Sequence, residues 1–117
     1  MLPYKQLIVW QKSFALAVKI YKNTEGFPSS EKFGLQSQMR RAVISISSNI
    51  AEGSKRGTTK DYLSFLRISY GSGAELETQL LLSKELGYIQ EKPFLILEKD
   101  LEEIQKMLNT MIQKMTA

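Results

Sequence analysis

The densest group of chemistry-bearing side chains is Lys55-Arg56-Gly57, followed by Thr58, Thr59 and Lys60. Two cations, a glycine turn, two hydroxyls and the opening N–H groups of a helix are the parts from which phosphate sites are built. An anion there meets formal positive charge and the positive end of the helix dipole together. Arg40 and Arg41 add two guanidiniums upstream, one of which could be taken up by Glu52 or Glu75. Lys5, Lys12, Lys19 and Lys22 share one side of the first helical segment and offer a second basic face. No aromatic is interleaved with the basic turn, because Tyr62 and Phe65 read as core. Nucleic-acid binding here would therefore be led by the phosphate backbone and tolerant of sequence.

Other clusters point to structure. Residues 45–53, Ser-Ile-Ser-Ser-Asn-Ile-Ala-Glu-Gly, crowd three serines and an asparagine into one helical stretch. These are poor helix formers unless their side chains find backbone or cross-helix partners. Asn49 falls on the expected seam, where a buried polar group sets register. Glu52 is expected to close a hydrogen bond or charge pair to a neighbouring helix, with a ligand contact as the other reading. Gly71-Ser72-Gly73 has no strand before it, so it reads as a close helix approach and not as a dinucleotide loop. Glu52, Glu75 and Glu77 form the one carboxylate group that could turn inward, and no second type of metal ligand accompanies them.

The 117-residue chain contains no His and no Cys. That removes the usual zinc and haem ligands, thiol nucleophiles, disulfides and the imidazole base on which most serine nucleophiles depend. Neither a catalytic residue, a metal site nor a cofactor is expected. No secretory leader or membrane-spanning run is evident, so the chain reads as a soluble cytoplasmic protein. Residues 1–57 hold nine Lys/Arg against three Asp/Glu, and residues 58–117 hold seven against nine. Such asymmetry between halves suggests a polyanion or a complementary protein surface.

The elements that must position these groups are helices. Breaks at Gly26 to Ser29, Gly53 to Gly57 and Gly87 to Ile89 separate segments of helical periodicity, predicted at about residues 5–24, 30–53, 59–86 and 91–115. Short connections make neighbours antiparallel, so the prediction is one all-α domain, an up-down-up-down four-helix bundle. Expected seams are Leu7, Trp10, Phe14, Ala17 and Tyr21 in the first helix and Leu35, Met39, Ala42, Ile46 and Asn49 in the second. The third has Tyr62, Leu66, Ser69, Gly73, Leu76, Leu80 and Ser83, and the fourth Phe94, Leu97, Leu101, Ile104, Leu108, Met111 and Met115. Val9, Leu16 and Ile20 widen the first helix's apolar arc to about twice an ordinary core stripe. A second subunit, or a covering loop, should meet the surplus.

Val9-Trp10-Gln11-Lys12, Phe27-Pro28, Gly34-Leu35, Gln38-Met39-Arg40-Arg41-Ala42, Asn49-Ile50-Ala51-Glu52-Gly53 and Glu75-Leu76-Glu77-Thr78 occur in this order. Together they resemble the bacterial four-helix-bundle family of 23S ribosomal RNA intervening-sequence proteins, which also includes the accessory variability proteins of diversity-generating retroelements. The chain departs from the pattern at Ser47, where proline is frequent, and at Gly73, where a larger apolar residue is usual. The resemblance implies a ring-like homopentamer and, for the accessory members, nucleic acid and a partner reverse transcriptase bound through basic surface. It implies no catalytic residue.

The expected function is a non-enzymatic, oligomeric nucleic-acid-binding scaffold for structured RNA or an RNA–DNA intermediate. Arg40, Arg41, Lys55, Arg56 and Lys60 would contact phosphates, with Lys5, Lys12 and Lys19 as the second face. The alternative is a protein-interaction scaffold whose basic face meets an acidic partner.

Overall fold

The computed structural model describes residues 2–116, which form four long helices and two short 3-10 turns. They are α1 (Ile8–Thr24), α2 (Leu35–Ser54), α3 (Thr59–Glu85) and α4 (Glu91–Thr116), with 3-10 turns at Tyr4–Gln6 and Ser29–Glu31. Each helix packs on two others, α1 on α2 and α4, α3 on α2 and α4, and no diagonal pair touches. The order around the bundle is therefore the chain order, as the short connections require. Gly57 and Gly87 adopt φ of 94° and 78° and turn the chain where an L side chain would be strained.

Boundaries fall close to expectation except at α2. Pro28 opens a separate 3-10 turn, and α2 proper starts at Leu35. Glu31, expected in the first turn of a continuous helix, instead folds its carboxylate back to accept from the Leu35 backbone N–H at 3.0 Å. It lies so close over Gly34 that a Cβ there would collide with it. The second Glu31 oxygen accepts from the Tyr88 hydroxyl at 3.1 Å, and the Tyr88 ring packs on Phe27. These contacts close one end of the bundle. At the other, Thr58 caps α3 by accepting from the Asp61 N–H at 3.1 Å.

The seams of α3 and α4 stand largely as predicted. All seven α3 positions are buried, and α4 buries Phe94, Leu97, Leu101, Ile104 and Leu108. Ile112 takes the last fully buried place, with Met111 and Met115 half-buried beside it.

The α1 seam is different. Val9, Ser13, Leu16, Ile20 and Thr24 are the buried positions, and Phe14 and Tyr21 face outward. Two polar residues concealed this seam in the sequence. In the helix, Ser13 Oγ donates to the Val9 carbonyl and Thr24 Oγ1 to the Ile20 carbonyl, so both are buried without an orphaned hydroxyl. The surplus apolar arc persists, but it consists of Phe14, Val18 and Tyr21, which are 39–54% exposed.

Small residues set the α2–α3 contact. Ser69 Oγ donates to the Ile46 carbonyl at 2.9 Å, and the Ser45 and Ser72 hydroxyls share a hydrogen bond of 2.8 Å. Gly53 lies against Phe65 and Tyr62 with no room for a side chain. Further along the buried face of α3, Gly73 leaves a notch that Gln105 of α4 occupies, its Nε2 donating to the Tyr70 carbonyl at 2.8 Å. Glycine in place of a larger residue thus tightens the α3–α4 contact. At Ser47 the hydroxyl donates to the Ile44 carbonyl at 3.3 Å.

Candidate nucleic-acid interface

Because α1 and α2 are neighbours, the charge asymmetry of the sequence becomes a spatial one. The basic half of the chain forms one edge of the bundle, opposite the edge formed by α3 and α4. The predicted cations do not all remain available on that edge.

Lys12 and Lys19 turn toward α4. Lys12 pairs with Glu103, and Lys19 with Asp100 at 2.6 Å. Both pairs are one-third to one-half exposed, so each adds less than about 1 kcal/mol, but each spends a lysine expected to bind phosphate. The second basic face is therefore a zipper between α1 and α4. Lys5 is exposed on the first 3-10 turn, and no described residue forms an ion pair with it.

Arg40 is also committed. Its Nε donates to Thr24 Oγ1 at 3.0 Å, an Nη donates to the Tyr21 carbonyl at 3.2 Å, and its guanidinium lies 4.5 Å from the Tyr21 ring centre. Together with Gln36, which donates to the Thr24 carbonyl at 2.7 Å, it satisfies carbonyls at the end of α1, where a cation also suits the dipole. Arg41, one residue on, points outward and forms no ion pair with any described residue.

In the basic turn, Arg56 forms an exposed pair with Glu52 at 3.0 Å and lies 4.8 Å from the Phe65 ring centre. Lys55 sits 6.0 Å from the Tyr4 ring centre, and Lys60 is exposed in the first turn of α3. The helix terminus itself is occupied. Thr58 spends its hydroxyl on the Asp61 N–H, and the Asp61 carboxylate adds negative charge where a phosphate would lie. Phosphate contact at this end falls to the lysine and arginine side chains, not to the backbone N–H groups.

Two structural expectations are corrected. Asn49 is half-buried at the rim, one helical step from the core positions Ile46 and Ile50. Its Nδ2 donates to the Ser45 carbonyl at 2.7 Å and to Ser45 Oγ at 2.9 Å, and Ser45 in turn reaches Ser72. The cross-helix link is thus made by the serine, with Asn49 holding it. Glu52 reaches forward to Arg56 and not across to another helix. Glu75 and Glu77 are exposed, and among the described residues no group of three potential ligands could hold a metal.

What the sequence reading missed is that several of the cations lie over aromatic rings. Arg40 rests on Tyr21, Lys55 near Tyr4, Arg56 on Phe65, and Lys32 lies 5.6 Å from the Phe33 ring centre. Only the last pair is adjacent in sequence. The others come from turns or helices that fold back on one another, so no linear spacing announced them. Phe33, 87% exposed, is the most exposed large apolar residue described.

A cavity of about 460 Å³ lies between the N-terminal segment and α4 and is lined chiefly by Leu2, Leu7, Ile8, Met107 and Met111. Its one charged residue, Lys106, pairs with Glu102 at 3.3 Å, so no acid–base pair converges on it. Burial raises the phenol pKa of Tyr62, while desolvation and then the Glu31 carboxylate raise that of Tyr88. Both are positions of packing and not of a reactive pocket.

No helix of the described residues is long and apolar enough to cross a membrane. A family model described as 23S rRNA-intervening sequence protein matches residues 5–110. Among solved structures, a protein of unknown function from the S23 ribosomal protein family of Bacteroides thetaiotaomicron VPI-5482 is similar at 29% identity and a TM-score of 0.81. The match covers 90% of this chain and 98% of that one. No curated protein matches the sequence.

Proposed function

This chain belongs to the family of 23S rRNA-intervening sequence proteins, and from that premise we propose that it is a non-enzymatic, oligomeric scaffold that binds structured RNA or an RNA–DNA intermediate through phosphate contacts. The observation that carries this reading is the cations left over once internal pairing is complete. Of the cations predicted to meet phosphate, Arg41, Lys55, Lys60 and Lys5 have no acidic partner among the described residues, with Arg41 on α2 and Lys55 the residue that caps its end. Fourteen residue steps along the helix axis separate them, roughly 21 Å, about the axial span of six base steps along one strand. Arg40 and Arg56 stand beside this track with part of their bonding capacity already used.

The exposed Phe14, Val18 and Tyr21 stripe favours self-association, because three large apolar residues on one outward helix face stay 39–54% exposed even with Phe14 packed on Trp10 and Tyr21 under Arg40. We read that assembly, by resemblance, as a ring-like homopentamer akin to the accessory variability proteins whose partner is a reverse transcriptase. A ring repeats a weak basic track and converts it to useful avidity.

Four phosphate contacts per protomer give a log–log salt slope of about −3.6 for duplex nucleic acid. Fluorescence anisotropy with a labelled structured RNA across a salt series tests this. A steep slope that becomes shallower by about 0.9 for Arg41→Ala supports the reading. No binding at low salt overturns it and leaves the basic edge to an acidic protein partner.

A further inference from the structure

We propose that the open pocket between the end of α1 and the start of α2 holds an unpaired base of a single-stranded nucleic acid, stacked on Phe33 and flanked by phosphates on Lys32 and Arg41. This deepens the phosphate-binding reading and rests on it. It names the form of nucleic acid taken at one end of the same basic edge.

The pocket has a volume of about 310 Å³, at the small end of ligand sites. Its chemistry is of one kind. Tyr21 and Phe33 present aromatic planes, Lys32, Arg40 and Arg41 supply three cations, Gln36 adds an amide, and no carboxylate lines it. Aromatic planes with cations and no acid are the pairing that single-stranded nucleic-acid sites use, because every base has a stackable face and every linkage a negative charge. An acidic protein segment would find the cations but would have no use for the two rings.

Several features are already preorganised. Arg40 is pinned by Thr24 and the Tyr21 carbonyl, which holds its guanidinium 4.5 Å from the Tyr21 ring centre within the pocket lining. A fixed guanidinium plane stacks on bases as an aromatic ring does. Phe33 lies between the 3-10 turn and α2, in neither helix, with Gly34 beside it pressed under the Glu31 carboxylate. The turn that carries it is held at both ends, by Glu31 on the Leu35 N–H and by Glu31 on Tyr88. A ring 87% exposed on a braced turn contributes almost nothing to the core. Its removal is therefore a clean perturbation.

The test compares a labelled single-stranded oligouridylate with the same strand annealed to oligoadenylate, both read by anisotropy across salt. Phe33→Ala should weaken single-strand binding about 5- to 150-fold, the loss expected for one stacked base. Its salt slope should not change, since no charge is removed. Phe33→Tyr should retain affinity, and Phe33→Leu should lose it, because leucine is apolar but has no plane. Duplex binding should be indifferent to all three. Arg41→Ala should weaken both probes and make both slopes shallower.

If Phe33→Ala leaves single-strand affinity intact while Arg41→Ala lowers it, the stacking site is refuted and the phosphate track stands. Full affinity for Phe33→Leu refutes stacking in favour of apolar contact. If neither probe binds at low salt, both readings fall. Sedimentation of Phe33→Ala closes the remaining route: dissociation of the oligomer would show that a second copy covers this pocket, and would overturn the proposal.

Discussion

Adding one methyl at Gly53 should separate the two most intimate helices of the bundle. A Cβ built there lies 2.7 Å from Phe65 Cβ and 3.1 Å from the Tyr62 ring. Ordinary contact begins near 3.4 Å, so α2 and α3 must part by roughly 0.7 Å, since a Cβ cannot swing aside as a side-chain end can. The Ser69–Ile46 and Ser45–Ser72 hydrogen bonds, at 2.9 and 2.8 Å, stretch with that movement. Overpacking of this kind costs about 1–3 kcal/mol. Replacing glycine by alanine returns less than about 1 kcal/mol of helix propensity, because Gly53 is next to the last residue of α2. The net loss is about 1–2 kcal/mol, a fall in Tm of about 4–8 °C for a chain of this size. Gly71→Ala is the matched control: it lies within α3 with nothing within 4 Å of its Cβ, so it should gain up to about 1 kcal/mol and raise Tm by about 4 °C. Thermal unfolding by circular dichroism at one fixed protein concentration reads both, because oligomerisation makes Tm concentration-dependent. An unchanged or raised Tm for Gly53→Ala, or the same sign for both variants, would refute the close-approach account.

Lys12→Ala combined with Lys19→Ala should leave the salt slope of nucleic-acid binding unchanged and lower stability by no more than about 2 kcal/mol, since both lysines pair with α4. A slope shallower by about 1.8 would show that they contact phosphate after all. Thr58→Ala should cost about 1 kcal/mol through loss of the cap on the Asp61 N–H, read as a lower urea midpoint at constant m. Tyr88→Phe should lower stability near neutral pH by removing the hydrogen bond to Glu31, read as a lower urea midpoint. The folded-state pKa of Tyr88 is raised, so folding favours the protonated phenol. That stability is fully present below the unfolded value near 10 and is lost as pH climbs through the raised one, so the difference between wild type and Tyr88→Phe should shrink in strong alkali. A difference that grows with alkalinity would reverse the sign of the argument.

The legibility of the fold differed between its halves for a physical reason. In α3 and α4 the seam repeats at intervals of three and four, and its polar members Ser69 and Ser83 each follow a seam leucine, Leu66 and Leu80, that keeps the register visible. In α1 the apolar residues outnumber the places a core offers, and the two polar residues of the true seam broke the pattern. Periodicity then selected the wrong stripe of two. Sequence favoured the one with Trp10, Phe14 and Tyr21, the bulkier residues, whereas packing chose Val9, Leu16 and Ile20, with Ser13 and Thr24 at positions where larger side chains are absent. Asn49 was misplaced in the same way, because α2 buries two adjacent positions per turn, Ala42 with Val43 and Ile46 with Ser47, which shifts the centre of its buried face.

The amino-acid sequence by itself determined the class of the protein: four helices and their order, the breaks between them at Gly57 and Gly87, and the absence of the side chains that usual metal and thiol chemistry require. These are local or compositional properties, set by backbone preference, by 3.6-residue periodicity and by which functional groups are present. Tertiary structure decided which cations remained available. Lys12 and Lys19 were drawn off by carboxylates more than eighty residues away, Arg40 by the end of the preceding helix, and the phosphate-like terminus of α3 by its own cap. It also set Tyr21 beneath Arg40 and left Phe33 in the open. Charge pairing and stacking act through space over a few ångströms, and only the packed bundle brings those distances into being.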